Sequence, residues 1–292
     1  MPRIVVGNCG GTLALTQVRG VLAELSETWP DISTVQRTVQ SAQPGGHGLL
    51  DALSAGRINL AVGRLDSLPL TLPEGLVLGA VGRRLEARTA LVARTPLNLQ
   101  DIPPAARVGA LRAHDRAFLR AIRPDLSAEH LAAAPEDLLL GVLQGDLVAA
   151  LVPAADLIGA GHRDRIGALL EPQLLPPPPG QGALGFVVRA DDDLAGEVAY
   201  TLQHRPSYDR VRAERAFAAA LAPVPAGTAV GALATASGDG ELTLLGAVAS
   251  LDGTRAVQAE VRGSAGEAEE LGRRLARDML AQLKSGPALN IP

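Results

Sequence analysis

Lysine is almost missing from this chain. Lys284, in the C-terminal tail, is the only lysine among 292 residues that include 27 Lys and Arg together. A Schiff-base mechanism and a phosphate-loop lysine both need an amine in the folded body, so both are excluded. Cysteine is equally scarce. Cys9 stands alone, which rules out an intramolecular disulfide and a cysteine-rich metal centre. Aromatic residues make up only 2% of the chain, so the core is aliphatic and stacking platforms for nucleobases are few. The formal net charge is -4, with no Lys/Arg run, which argues against nucleic acid as a partner. No apolar run reaches membrane-spanning length, and the N-terminus lacks the charged, apolar and cleavage regions of a signal peptide. A soluble cytoplasmic protein without membrane attachment is the expectation. The histidines, His47, His114, His130, His162 and His204, show no metal-ligand spacing, and no metal is expected.

What is present is a globular composition. Apolar residues account for 47% and charged residues for 20%, and the length suffices for two or three domains with real cores. Residues 3–6 read as a strand. The glycine loop Gly7 to Gly11 follows, then an amphipathic helix from Thr12, with Thr12 as its N-cap. A strand near 33–39, a short helix near 48–56 and a buried strand at 58–63 complete a first α/β unit. A second starts near Arg88, with strands at 89–94, 107–111 and 147–152 and helices at 113–122, 135–144 and 153–160. This alternation predicts parallel sheets. The run Pro176 to Pro179 reads as a stiff crossing segment, after which strand 183–189 returns to the first unit. From about Tyr208 a helix, three strands (228–235, 241–249 and 255–262) and a final helix from about 266 predict a small α+β domain.

Several motifs occur in a fixed order: TLALTQ (12–17), INLAV (58–62) with LPLTLPEG (68–75), RAFLRAIRPDL (116–126), PGQGAL (179–184), ADDDLAGEVAY (190–200) and RAERAF (212–217). Together they resemble the porphobilinogen deaminase (hydroxymethylbilane synthase) family over essentially the whole chain. The resemblance implies two periplasmic-binding-protein-like α/β domains around a cleft, residues 1–84 with 181–203 and residues 85–180, plus a C-terminal α+β domain at 204–292. It also implies a transferase that joins four porphobilinogens head to tail with loss of ammonia. In the family the growing chain hangs from a dipyrromethane bonded to a third-domain cysteine. An aspartate stabilises cationic pyrrole intermediates, and cleft arginines and lysines hold acetate and propionate groups.

The positions that carry this chemistry differ here. The cofactor turn reads Pro223, Val224, Pro225, Ala226, Gly227 and Thr228, with no sulfur. Asp66 holds the signature lysine position and Ser67 the catalytic aspartate position. Cys9 and Gly11 replace an arginine and a serine. Leu111, Arg112, Ala113, His114 and Asp115 align with a Ser-Ser-(apolar)-Arg-Arg motif. Leu131 to Ala134 align with Leu-Arg-Gly-Asn, while Leu138 and Gly159 hold further arginine positions. These substitutions support a non-catalytic relative, not an enzyme. Such a protein would carry no dipyrromethane and would bind a small anionic or pyrrole-type ligand, or a protein partner in tetrapyrrole metabolism. An active hydroxymethylbilane synthase with displaced catalytic residues, in which Asp66 or Ser67 acts, is an alternative. So is a scaffold subunit of another tetrapyrrole enzyme.

The ligand-binding residues expected are Asn8, Cys9, Gly10, Gly11, Thr12, Arg64, Asp66, Leu111, Arg112 and His114. The amides of Gly10, Gly11 and Thr12 suit an anion at a helix N-terminus, with Arg112 opposite them across the cleft. The same helix end lowers a thiol pKa, although Cys9 reads equally as a small loop residue. Arg64 and Arg112 restore one or two carboxylate contacts or lie at the surface.

Overall fold

A computed structural model describes residues 1–40, 46–131, 134–221, 224 and 227–285. In chain order the elements begin with β1 (Arg3–Asn8), α1 (Thr12–Thr28), β2 (Ser33–Thr38), α2 (His47–Ser54), β3 (Leu60–Arg64) and β4 (Leu76–Val81). Next come β5 (Thr89–Ala93), β6 (Arg107–Ala110), α3 (Ala113–Ile122), β7 (Ser127–His130), α4 (Pro135–Gln144), β8 (Ala149–Pro153), α5 (Ala154–Gly159) and β9 (Ala168–Leu169). The chain closes with β10 (Leu184–Arg189), α6 (Asp193–Thr201), α7 (Arg205–Ala220), β11 (Thr228–Gly238), β12 (Glu241–Ser250), β13 (Ala256–Ser264) and α8 (Ala268–Ser285). No described helix is long and apolar enough to cross a membrane.

The architecture is two periplasmic-binding-protein-like α/β domains and a C-terminal three-stranded α+β domain. By compactness the chain forms two units, Met1–Leu85 with Gly182–Tyr208, and Glu86–Gln181 with Asp209–Pro292. The first unit's sheet has the order β2-β1-β3-β10-β4. Its β1 runs parallel to β2 and β3, but β10 is antiparallel to both its neighbours. The sheet of β5 to β9, ordered β7-β6-β8-β5-β9, is likewise mixed, with β5 antiparallel to β8 and β9. The expectation of parallel sheets is therefore corrected. Alternating strands and helices specify the parallel portion, whereas β5 and β10 are each the first strand added after the chain has left the other sheet, and both run the other way.

Local sequence explains the element ends. Pro135 opens α4, where its missing N–H costs nothing, and the Asp137 carboxylate accepts the Ala134 N–H at 2.9 Å. Gly145, at φ 89°, ends that helix. Asp192 caps α6 by accepting the Ala195 N–H. The N-cap of α1, however, is Gly11, with φ 82° and ψ 156°, and Thr12 is already helical. Glycine takes that place because the backbone there is left-handed.

The cores are mostly aliphatic, each with one phenylalanine among those named here. Ile4, Val6, Leu25, Leu60, Val62, Phe186 and Val198 anchor the first unit. In the second, Phe118 and Leu119 of α3 share one core with Ala229, Ala247, Ala249 and Ala256 of the C-terminal sheet. The other face of that sheet packs Phe217 of α7 and Leu271, Leu275 and Met279 of α8. Covered on both sides, β12 is buried almost continuously rather than alternately. The outer edge of β11 is closed by the crossing segment. Ala232 N–H donates to the Pro177 carbonyl at 2.8 Å. Gly231 admits this approach, since a Cβ there would stand 2.5 Å from the Pro176 Cβ. Glu214 of α7 completes the edge, accepting the N–H groups of Gly180 at 2.8 Å and Ala234 at 2.9 Å.

Candidate functional site

In the first unit two loops leave the same sheet edge. β1 and β3 are parallel neighbours, with Val6 opposite Leu60 and Gly7 opposite Ala61, so the turns after Asn8 and Arg64 both lie outside carboxyl ends of strands. Open α/β sheets bind ligands there.

The turn after β3 is fixed by its apolar residues. Leu65 and Leu68 are buried, and the Arg64 carbonyl accepts the N–H groups of Ser67 and Leu68. The Leu65 N–H donates to Ala183 in the PGQGAL segment at 3.0 Å. This tight turn folds Asp66 back onto Arg64. Arg64 Nη2 lies 2.8 Å from Asp66 Oδ2, and Nε lies 3.1 Å from Oδ1, a bidentate fork. The Asp66 side chain is 2% exposed and that of Arg64 28%. Ser67 is exposed, and its hydroxyl donates to Asp66 Oδ1 at 3.3 Å.

The loop after β1 closes on itself. Asn8 is fully buried, and its Oδ1 accepts the Gly10 N–H at 2.8 Å. That amide, expected to face an anion, is therefore spent within the loop. Gly10, at φ 77°, also passes so close to Thr38 that a Cβ would meet its methyl at 2.9 Å. Cys9 is exposed at the surface, yet desolvation by the protein around its sulfur pushes the thiol above its ordinary range.

In the second unit the junction of β6 and α3 places three of the expected residues. Leu111 is half-buried against the core around Val142 and Leu147. Arg112, extended at φ -132° and ψ 146°, is the N-cap of α3. His114 Nε2 donates to the Pro176 carbonyl at 2.7 Å, and its ring stands 5.0 Å from that of Phe118. His114 thus braces the crossing segment. Asp115 was not among the expected binding residues, yet it is wholly enclosed, with Arg112 Nε 3.9 Å from its Oδ2. The Arg-x-x-Asp spacing at a helix start was the available signal. Of the vacated arginine positions, Leu138 lies in the core and Gly159 ends α5. Ala132, Ala133, Pro223, Pro225 and Ala226 fall outside the described residues.

Fold and junctions together define a three-domain α/β protein with polar loops at the carboxyl edges of periplasmic-binding-type sheets. Comparison with known proteins makes the class specific. Residues 4–197 match the family described as porphobilinogen deaminase, dipyromethane cofactor binding domain, and residues 208–281 match the porphobilinogen deaminase C-terminal domain. A porphobilinogen deaminase of Thermus thermophilus is 40% identical over 294 residues, covering 96% of each chain. One from Deinococcus radiodurans is 38% identical, again over 96% of each. A TRAP periplasmic solute binding protein from Desulfovibrio salexigens is similar at 10% identity and TM-score 0.48, covering 69% of this chain and 72% of that one. The chain belongs to the porphobilinogen deaminase family.

Two expectations are corrected by these findings. The expectation that the chain is not an enzyme falls, because relatives this similar over nearly their whole length are named as deaminases. The vacated positions were an insufficient ground, since a charge lost at one position can return at a neighbour. The expectation that the dipyrromethane is absent falls too, because residues 4–197 match the domain described as binding it. The chain's donor set differs in one respect. Its only thiol is Cys9, and residues 208–281 contain none, so a thioether from the C-terminal domain does not fit this chain.

Proposed function

We propose that this protein is a hydroxymethylbilane-forming transferase that joins porphobilinogen units with loss of ammonia, using a carboxylate moved by one position along the β3 turn. The full-length similarity to porphobilinogen deaminases supports the reaction class. The carrying observation is Asp66, an enclosed carboxylate held in a defined geometry at the end of β3. Each condensation forms a carbon–carbon bond from the aminomethyl carbon of one pyrrole to the free α-carbon of the next. Ammonia departs from the former and a proton from the latter. Positive charge develops on the pyrrole before the bond forms, and a fixed carboxylate is the group that stabilises it. Arg64 offers a guanidinium fork to a substrate acetate or propionate. Engaging that fork loosens its hold on Asp66 and leaves the carboxylate to face the cation.

Porphobilinogen consumption, ammonia release and porphyrin formed after acid oxidation test this reading directly. Wild-type protein is expected to turn over. Asp66→Asn is expected to lose on the order of 10²-fold or more in kcat, as for removal of one charge-stabilising group. Absence of turnover by wild-type protein, together with failure to complement a deaminase-deficient strain, refutes it.

A further inference from the structure

The chain contains two Asp-Gly steps, Asp239–Gly240 and Asp252–Gly253, and no Asn-Gly step. Both lie in hairpin turns of the C-terminal sheet, the first between β11 and β12 and the second between β12 and β13. Asp-Gly suits such turns because a tight hairpin needs left-handed backbone. The same pair can react with itself. Glycine has no side chain to shield its N–H, so its nitrogen can reach the preceding side-chain carboxyl carbon. The two turns treat this reaction in opposite ways. At Asp252 both reacting groups are held. Its Oδ1 accepts the Thr254 hydroxyl at 2.8 Å, the Thr254 N–H at 3.0 Å and the Ser250 hydroxyl. The Gly253 N–H donates to the Ser250 carbonyl at 2.9 Å. Gly253 is also seated on α3, where a Cβ would stand 2.8 Å from the Ala121 nitrogen. The hydrogen bonds hold the Asp252 acid down at about 2, away from the protonated form that can lose water. At Asp239 neither group is held. Asp239 and Gly240 are exposed, with φ 45° and 75°. Among the described residues, nothing hydrogen-bonds the Asp239 carboxylate or the Gly240 N–H. Only the Gly240 carbonyl is engaged, accepting the Ala265 N–H at 2.8 Å. The last four residues of β11, Thr235 to Gly238, are exposed as well, so the tip opens at little cost.

We propose that Asp239 is a site of spontaneous isoaspartate formation, and that its turn protects Asp252 from the same change. The Gly240 nitrogen attacks Asp239 Cγ. An N–Cγ bond forms, a Cγ–O bond breaks, and the hydroxyl leaves as water with the amide proton. Water then reopens the five-membered imide. Opening at the main-chain carbonyl leaves the backbone running through Cγ, with no net change in composition and one more methylene in the chain. That longer backbone does not fit a two-residue turn, so the pairing of Gly238 with Glu241 is lost. A free α-carboxylate then stands at the hairpin tip, the chemical class that an isoaspartyl methyltransferase using S-adenosylmethionine takes as substrate. This inference is independent of the transferase reading.

The test ages the folded full-length protein at neutral pH and maps its peptides by electron-transfer fragmentation, which separates isoaspartate from aspartate. Methyl groups transferred from labelled S-adenosylmethionine by an isoaspartyl methyltransferase give an independent count. A sample unfolded in urea and aged alongside gives the rate at each site without the turns. In the folded protein, isoaspartate is expected to accumulate at residue 239 about tenfold or more faster than at 252, as a loss of more than one pKa unit of protonation at Asp252 implies. In urea the two sites should age at similar rates. Ser250→Ala combined with Thr254→Val removes both hydroxyl donors and is expected to raise the rate at 252 toward its unfolded value. Equal rates at the two sites of the folded protein overturn the inference. So does a residue 239 that stays aspartate in the folded protein while it isomerises in urea. If the double variant does not fold, Ser250→Ala decides, and an unchanged rate at 252 overturns the protection.

Discussion

Replacing Glu214 by alanine tests how the crossing segment is held. The carboxylate is fully buried and accepts two backbone N–H groups, Gly180 at 2.8 Å and Ala234 at 2.9 Å. The first belongs to the PGQGAL segment and the second to the outer edge of β11. Alanine leaves both amides enclosed without this acceptor, at about 1–3 kcal/mol each, or roughly 2–6 kcal/mol together. Removing the buried charge relieves some desolvation cost, so the expected net loss is about 3 kcal/mol. Glu214→Gln retains one acceptor oxygen but turns an NH₂ toward the other N–H, and should lose about half as much. Urea unfolding followed by circular dichroism gives the stability change, read as a lower midpoint at constant slope. Amide hydrogen exchange gives its location, with Gly180 and Ala234 losing protection ahead of the rest of β11. A Glu214→Ala stability within about 0.5 kcal/mol of wild type, the range of an ordinary surface change, would refute the reasoning.

Two further outcomes follow from local electrostatics. Asp252, in the β12–β13 turn, accepts from the Ser250 and Thr254 hydroxyls and the Thr254 N–H, which lowers its pKa from 3.8 to about 2. A depressed acid stabilises the fold above the unfolded pKa and loses that effect as pH falls through the folded one, so the melting-temperature gap between wild type and Asp252→Asn should be full above pH 3.8 and close toward pH 2; an unchanged gap at pH 2 contradicts the assignment. The Cys9 thiol is pushed up by desolvation, so iodoacetamide should alkylate it more slowly at neutral pH than it alkylates a free cysteine; faster alkylation would show an activated thiol.

Much of the fold was legible because its signals are local. The helices at 113–122 and 135–144 appear as Ala113–Ile122 and Pro135–Gln144, since apolar spacing, Pro135 and Gly145 mark them within a few residues. β4 and β7 were not legible. LVLGAV and SAEH are short, and their strand character comes from β10 and β6 alongside them. The direction of β5 and β10 was hidden for the same reason, because strand direction is decided by where a connection leads and not by the strand's own residues. The first turn of α1 was misread by one residue. Thr12 has the composition of a cap, but the left-handed backbone at Gly11 takes the position.

The candidate site shows what reading by position leaves out. Asp66 is one residue removed from the expected aspartate position, and in a regular strand that shift would send its side chain to the opposite face. The chain has left the strand by then. Buried Leu65 and Leu68 and the Arg64 carbonyl bend it into a turn, so direction is set by the anchors and the Arg64 fork, not by parity. At α3 position alone leaves out a partner. Asp115 seemed only to mark a lost arginine, yet with Arg112 three residues earlier it forms an oppositely charged pair on one side of a helix start. At both junctions an arginine is followed within three residues by an aspartate that it faces. Each of these charges has an oppositely charged partner close by. An emptied anion site and a rearranged one thus look alike in a residue-by-residue comparison, and become distinct only when the partners of each charge are known.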